Sequence, residues 1–401
     1  MRDDELVGAW QGAPVQKMKN EASILDGAVR VGTSCLDDTE QAVRSVLRQL
    51  EWPDLAGAMI FCSNRYDLSV VSNVLSECVQ NVRVIGCTSA GELTPSGMDS
   101  GTITAIGFPD TDFSFTTAFI DNLETFDGIA AQKAIRTAAA KSIESSRRLG
   151  DKLNRAAIFL MDGLSHRDEL VTVTVQDALG GIPMVGGSSG DRIAFRDAFV
   201  FHDGAFRSNC AVVGILSTLR PMKVFRAQYY VPRDEKMVIT SANVANRIAL
   251  ELNAEPAALE YARLTGVSVA DLGPEVFAAH PPMVRAGGEY YARSIQCVNP
   301  DNSLTFYCAI DEGIVMTLGE STDIVRELEQ LFAGLADEVS GVDKIIGFDC
   351  VLNSIEVAHR QLTSAVSNLF AQQGVVGFSS YGEQFGSLHV NQTLTGLAIG
   401  K

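Results

Sequence analysis

The chain has 401 residues, 46% hydrophobic and 20% charged, a globular composition long enough for two or three domains at ~150 residues each. Its 32 Lys+Arg against 49 Asp+Glu give a formal charge of -17, a field that repels phosphate backbones and anionic lipid, so neither nucleic acid nor a membrane is an expected partner. No apolar run approaches the ~18 residues of a membrane span, and the opening MRDDELVGAW lacks the basic-then-apolar order of a secretory signal, so a soluble, cytoplasmic protein is expected.

After an N-terminal lead segment, residues 1–30, three copies of one unit organise the chain. The first runs from Ala56 to Leu93, the second from Arg155 to Ile193 and the third from Asp343 to Gln384. Each opens with an apolar strand, passes a polar loop, and enters a helix marked by apolar residues at helical spacing: Leu68, Val71, Val74, Leu75 and Cys78 in copy one, and Ile355, Leu362, Val366, Leu369 and Phe370 in copy three. A second strand then runs into glycine, as GCTSAGE, GGSSGD and GFSSYGE. Strand, helix and strand in about thirty residues make a βαβ unit, which implies parallel pairing with helices on the sheet.

Another strand follows each glycine turn, with His202–Gly204 reading as a hairpin turn in copy two, so the sheets are expected to be mixed. Between copies two and three, roughly Pro221 to Thr322 alternates strand-like runs with turns such as Asn299–Ser303, interrupted by one helix near Pro256–Thr265. The expected fold is therefore α/β: two modules, 31–220 and 221–401, built of repeated strand-helix-strand units in mixed sheets, with a β-rich segment inserted in the second.

The eight cysteines, Cys35, Cys62, Cys78, Cys87, Cys210, Cys297, Cys308 and Cys350, form no C-x-x-C pair, and most sit inside apolar runs. A zinc site wants close-spaced ligand pairs, and a disulfide framework suits a small secreted domain, so buried free thiols are expected.

The stretches VIGCTSAGE, VGGSSGD with FVFHDG, YYARSI with LTFYCAIDEG, GFSSYGE and HVNQTLTGLAIG resemble the FIST family, named for F-box and intracellular signal-transduction proteins. The resemblance spans nearly the whole chain and implies a sensory protein that binds a small ligand and signals to a partner. A bacterial branch made of FIST domains alone binds haem to sense nitric oxide and works with histidine kinases and cyclic-di-GMP enzymes. The chain is similar to that branch, which implies haem b as cofactor, nitric oxide as ligand and a separate kinase or cyclic-di-GMP enzyme as partner. A homo-oligomer stays open. No enzymatic activity of its own is expected.

Haem needs a strong axial donor in an apolar pocket. Of five histidines, His202 sits in a turn and His359 beside Arg360, so both are expected to face water; His166 lies in a loop and His389 in a polar setting before a strand. His280 follows an apolar run and is held by Pro281 and Pro282, which restrict its backbone. Read from the residues alone, His280 is equally a lone histidine in a loop before a hairpin; the resemblance to the haem-binding branch, whose ligand is expected to be a histidine, makes His280 the expected iron ligand, with Met283, Val284, Tyr290 and Tyr291 as wall and Arg285 or Arg293 as propionate partner.

Two other readings stand beside it. Gly186–Gly190 fits G-x-S-x-G with Ser188 as nominal nucleophile of a serine hydrolase, but the pattern drifts across the other two copies as a backbone device would. A sensor of another small molecule, such as an amino acid, would use serine and glycine amides at the strand ends for a carboxylate. The acids closing each turn, Glu92, Asp191 and Glu383, would then bind the amino group or simply cap the turn.

Overall fold

The computed structural model describes residues 27–79, 82–191 and 196–401, so nearly all of the expected lead segment lies outside the described residues. The first unit consists of β1 (Arg30–Ser34), α1 (Thr39–Gln49), β2 (Leu55–Ser63), α2 (Leu68–Cys78), β3 (Arg83–Ser89), β4 (Gly91–Thr94), β5 (Gly97–Asp99) and β6 (Ile103–Pro109). The second follows the same order with β7 (Phe113–Ile120), α3 (Gly128–Ser145), β8 (Asn154–Met161), α4 (Asp168–Leu179), β9 (Met184–Ser188), β10 (Val200–His202), β11 (Ala205–Arg207) and β12 (Ala211–Thr218).

The third unit opens with β13 (Met222–Gln228) and is then interrupted. The inserted segment comprises β14 (Tyr230–Asn243), β15 (Ile248–Leu252), β16 (Glu255–Pro256), α5 (Ala257–Thr265), α6 (Pro274–Ala279), β17 (Pro282–Ala286), β18 (Glu289–Ala292), β19 (Ile295–Val298), β20 (Leu304–Phe306) and β21 (Val315–Ser321). The unit resumes with α7 (Ile324–Glu338), β22 (Val342–Cys350), α8 (Val351–His359), α9 (Thr363–Gln373), β23 (Val375–Ser380), β24 (Glu383–Phe385), β25 (Leu388–Val390) and β26 (Thr393–Gly400).

Local chemistry sets the helix starts. Asp38, Asp67 and Asp127 each accept hydrogen bonds from the first free N–H groups of α1, α2 and α3. The helix expected in copy three is two helices: Gln361, at φ 58° in the left-handed region, ends α8, and α9 starts two residues on. The HDG hairpin forms as expected, with Asp203 at φ 47° and Gly204 at φ 77°, both central residues in the positive region a tight two-residue turn requires.

Each unit pairs its first long strand in parallel with its second: β2 with β3, β8 with β9 and β22 with β23. Antiparallel partners flank them, so the sheets are mixed. The hairpin of each unit joins a neighbour's sheet: β10–β11 extends β3, β24–β25 extends β9 and β4–β5 extends β23. The three units thereby close a ring by exchanging hairpins.

Strand alternation divides the core accordingly. Phe61, Phe115, Ile158, Leu160, Phe348 and Phe378 meet in a central cluster fed by all three sheets. The opposite faces bury Ile60 and Cys62 under α1 and α2, Phe159 and Met161 under α3 and α4, and Ile345 and Ala398 under α7 and α9. With both faces covered, the central strands read as continuous apolar runs. The inserted segment has its own core around Ile239, Tyr261, Phe277 and Leu318.

Candidate functional site

The three glycine-bearing strands occupy equivalent places. Gly86 lies opposite Ile60, Gly186 opposite Phe159 and Gly377 opposite Gly347. At each, a Cβ would overlap the backbone carbonyl oxygen of the facing strand, so these glycines permit close backbone approach.

The acids that close the turns do not share one role. Glu92 accepts from the Ser89 hydroxyl and from the amide and hydroxyl of Thr102, at 2.9 and 3.0 Å. Glu383 repeats the arrangement with the Ser380 hydroxyl at 2.6 Å and Thr393 amide and hydroxyl at 3.3 and 2.8 Å. Both carboxyls tie the base of their hairpin. Burial pushes Glu92 up to about 7 and Glu383 up to about 8. The second turn is one residue shorter from its glycine, and Asp191 accepts from the Tyr381 hydroxyl and from the amides of Arg196 and Asp197 at 2.9 Å each.

Ser188 ends β9 and is fully buried. Its hydroxyl donates to Asp168 at 3.2 Å and accepts from Gln384 Nε2 at 2.9 Å; His389 lies beyond Gln384, its Nδ1 3.4 Å from that nitrogen. A nucleophile elbow needs an exposed hydroxyl in contact with its base, and this hydroxyl has neither property. Asp168 and Glu169, in the first turn of α4, instead meet Arg247 of the inserted segment at 3.4 and 3.0 Å. Glu169 also accepts from the Ala309 amide at 2.6 Å, so the insert is fastened to the second unit by a buried charged latch.

The histidines separate clearly. His202 is buried, stacked on Phe119 at 5.1 Å, and burial holds its pKa below the ordinary imidazole value, which corrects the expectation that it faces water: the short turn lays its ring across the sheet. His359 is half exposed beside Glu275 at 3.4 Å, and His166 is exposed. His389 lies within β25 rather than before a strand, and is buried.

His280 forms the C-cap of α6, where its carbonyl accepts from the Tyr261 hydroxyl at 2.8 Å. Its Nδ1 is buried without a hydrogen-bond partner. Met283 packs in the core with Tyr290 against it. Arg285 is exposed with its guanidinium 6.0 Å from the Tyr290 ring, and Arg293 is turned towards Cys308. Of the residues expected to hold haem, His280 Nδ1 and Arg293 Nε are buried without partners. Among the described residues no group of three His, Cys, Asp or Glu side chains is placed to hold a bare metal ion. All eight cysteines are free thiols, five of them buried; Cys35 and Cys297 are exposed.

Buried polar side chains also gather around the carboxyl end of β22, where the insert joins the third unit. Asp349, at that end, is 3% exposed and accepts from Asn353 Nδ2 of α8 at 2.9 Å. Glu356 follows on α8, and the insert contributes Tyr229 and Tyr230; all are buried. Gln392 donates to the Tyr230 hydroxyl at 3.0 Å and the Ala278 carbonyl at 2.9 Å, and accepts from Ser294 at 2.8 Å. Yet Tyr229 Oη, Asn353 Oδ1 and Glu356 Oε2 have no partner. Burial, then the nearby Asp349 carboxylate, raises the Tyr229 phenol; Tyr230 is raised by burial and then by Glu356. Asp349 itself is pushed up to about 7 by burial. By contrast, an open cleft of about 480 Å³ past the ends of β8 and β9 is walled by Asp162, whose two oxygens are taken by the amides of Leu164 and Asn209.

Sequence reasoning missed the junction. Its signal was the run DCVLNSIEVAH, where Asp349, Asn353 and Glu356 fall four and three residues apart in an otherwise apolar stretch.

Repeated strand-helix-strand units on a closed ring of mixed sheets, with an insert folded over one strand end, define an α/β architecture. The FIST N domain matches residues 57–255 and the FIST C domain matches 257–386, so the chain belongs to the FIST family of signal-transduction sensory domains. The two matches meet inside the inserted segment, whereas the sheets change over between Thr218 and Met222. No protein of curated function matches the chain. Among solved structures, T. maritima PurL complexed with FGAR aligns over 93% of this chain and 72% of that one at 10% identity; its TM-score of 0.19 carries no argument about the fold. Among the described residues no helix is long and apolar enough to cross a membrane.

Proposed function

We propose that the chain is the ligand-binding input of a signalling system, and that its small ligand sits at the junction of the third unit and the inserted segment. The observation that carries this reading is the set of partnerless buried atoms there, Tyr229 Oη, Asn353 Oδ1 and Glu356 Oε2. Each unpaired buried polar group costs ~1–3 kcal/mol, so a ligand that satisfies them binds the folded, closed junction preferentially. The ligand would touch both α8 of the ring and Tyr229 beside β14, and so would set how firmly the insert closes. The Arg247 latch carries that closure to α4 of the second unit, whose outer face keeps Leu170 and Val173 exposed for a partner protein. A histidine kinase or cyclic-di-GMP enzyme is the output the family resemblance implies. Thermal melting in a deproteinised cell extract tests the reading: the extract raises the midpoint of the natural chain and leaves Asn353→Leu unmoved. Equal shifts in both would place the ligand elsewhere.

A second reading, a haem-based nitric oxide sensor, is favoured by one observation, the open Nδ1 of His280. His280 would hold haem b, which supplies an iron centre for a diatomic gas. Pro281 and Pro282 fix the backbone that carries the imidazole, and the Tyr261–His280 bond anchors the end of α6. The test is an absorption spectrum after haem reconstitution, with and without nitric oxide. A Soret band lost in His280→Ala supports this reading, and a colourless natural chain removes it.

A further inference from the structure

We propose that the outward face of α3 docks an acidic amphipathic helix of a partner protein. This rests on the partner-facing side of the second unit described above, and not on where the small ligand sits.

Composition singles out this helix. Residues 128–152, α3 and the turn after it, hold six Lys and Arg against two Asp and Glu, a local balance of +4 in a chain whose formal charge is -17. Taking +4 from -17 leaves -21 on the rest of the chain. The six cations, Lys133, Arg136, Lys141, Arg147, Arg148 and Lys152, are all exposed. Arg148 is spent on the carbonyls of Asp110 and Phe113, and Arg136 approaches Asp177 at 3.7 Å in an exposed pair. Water and salt screen such a pair, so the face keeps its positive sign.

Spacing says what shape fits. Ile129, Lys133, Arg136, Ala140, Ile143 and Arg147 follow one another at alternating steps of four and three, which places them on one seam along the helix. Every one is exposed, and the two isoleucines are 83% and 52% exposed. Between them Thr137 and Ala140 leave a shallow groove of about 500 Å³ that also takes in Gln132 and Lys133. A Cβ on Gly128 would touch Thr174 of α4, so the amino end of the seam lies beside the exposed Leu170 and Val173. A seam of this period with apolar anchors is how one helix receives another. The isoleucines are about 21 Å apart at the helical rise, a span that a partner helix of about 18 residues covers.

Charge chooses among occupants. A second copy laid α3 against α3 would set these cations against each other. A long polyanion or an anionic bilayer reaching past the face would meet the acidic remainder of the chain. A short acidic helix gains the attraction without that repulsion, and its apolar residues cover Ile129 and Ile143.

The experiment is fluorescence anisotropy of the full chain with a labelled peptide of about 18 residues, leucine at alternating steps of three and four and glutamate at most other positions. A scrambled peptide of the same composition runs beside it. The patterned peptide should bind at least about tenfold more tightly than the scrambled one, and should weaken several-fold between about 50 and about 300 mM salt. Lys133→Glu with Arg136→Glu should weaken it at least about tenfold, as should Ile129→Ser with Ile143→Ser, while Lys236→Glu, exposed on the insert, should change nothing. Far-UV circular dichroism reports that each variant is folded. Equal binding of the two peptides, or no binding of the patterned one up to about 200 μM, would overturn the proposal. So would a dimer, seen by light scattering, that Arg136→Glu splits, which gives the face to a second copy. These substitutions leave the junction intact, so the effect of cell extract on melting stays a separate test of the ligand reading.

Discussion

Gln392 reaches the Tyr230 hydroxyl with the same amide nitrogen that it gives to the Ala278 carbonyl, so one side chain of the third unit pins two parts of the insert. It does so from φ 52°, a left-handed backbone that a glutamine adopts only when its surroundings hold it there. Gln392→Leu should cost about 3 kcal/mol in denaturant unfolding, from three buried hydrogen bonds and the groups they leave unpaired. Hydrogen exchange should rise in α6 before it rises in the ring.

Arg247 is the matching fastener on the other side. Arg247→Met leaves Asp168 and Glu169 without their cation and should cost ~3–5 kcal/mol, the penalty of an uncompensated buried charge. Arg247→Lys should recover little of it, because a single ammonium cannot serve both carboxylates and the Tyr307 carbonyl as the forked guanidinium does. Chemical denaturation of the two variants checks the difference.

Gly186 and Gly377 should tolerate no side chain. Gly186→Ala drives a methyl into the Phe159 carbonyl within a parallel strand pair, where no flexible atom can yield. A loss of about 4 kcal/mol or outright misfolding is expected, measured by soluble yield and unfolding midpoint. Gly180→Ala, whose Cβ meets nothing within 4 Å but whose φ is 64°, should cost only about 1 kcal/mol.

Stability should fall as pH rises from about 4.5 to about 8. Glu383, at about 8, and Glu92, at about 7, hold protons in the folded chain that the unfolded chain releases near the ordinary value of 4.5. Their contribution is fully present below about pH 4.5, declines as pH rises through 7 to 8, and then levels off. Melting temperatures between about pH 5 and about pH 8 should therefore drop, and Glu383→Gln should flatten the curve.

The repeat was legible because each unit carries its own strand, helix and glycine, and the three glycines do the same backbone work. The hairpin turn at Asp203 and Gly204 and the helix Ala257–Thr265 were legible for the same reason: their signals are local. The exchange of hairpins was not, since β24 pairing with β9 depends on contacts some two hundred residues apart that no periodicity records. His202 was misplaced because a turn residue was assumed to face water, when the sheet beneath it offers Phe119. The polar junction was hidden because Tyr230, Ala278, Ser294 and Gln392 come together only once the insert has folded onto the ring.

The most direct test of the junction as the sensory site is hydrogen-exchange mass spectrometry of the full chain with and without the deproteinised cell extract. Protection confined to the β22–α8 connection, residues 349–359, and to the Tyr229–Tyr230 segment is the expected result. Protection centred on the cleft of Asp162 and Asn209, or none anywhere, would contradict it.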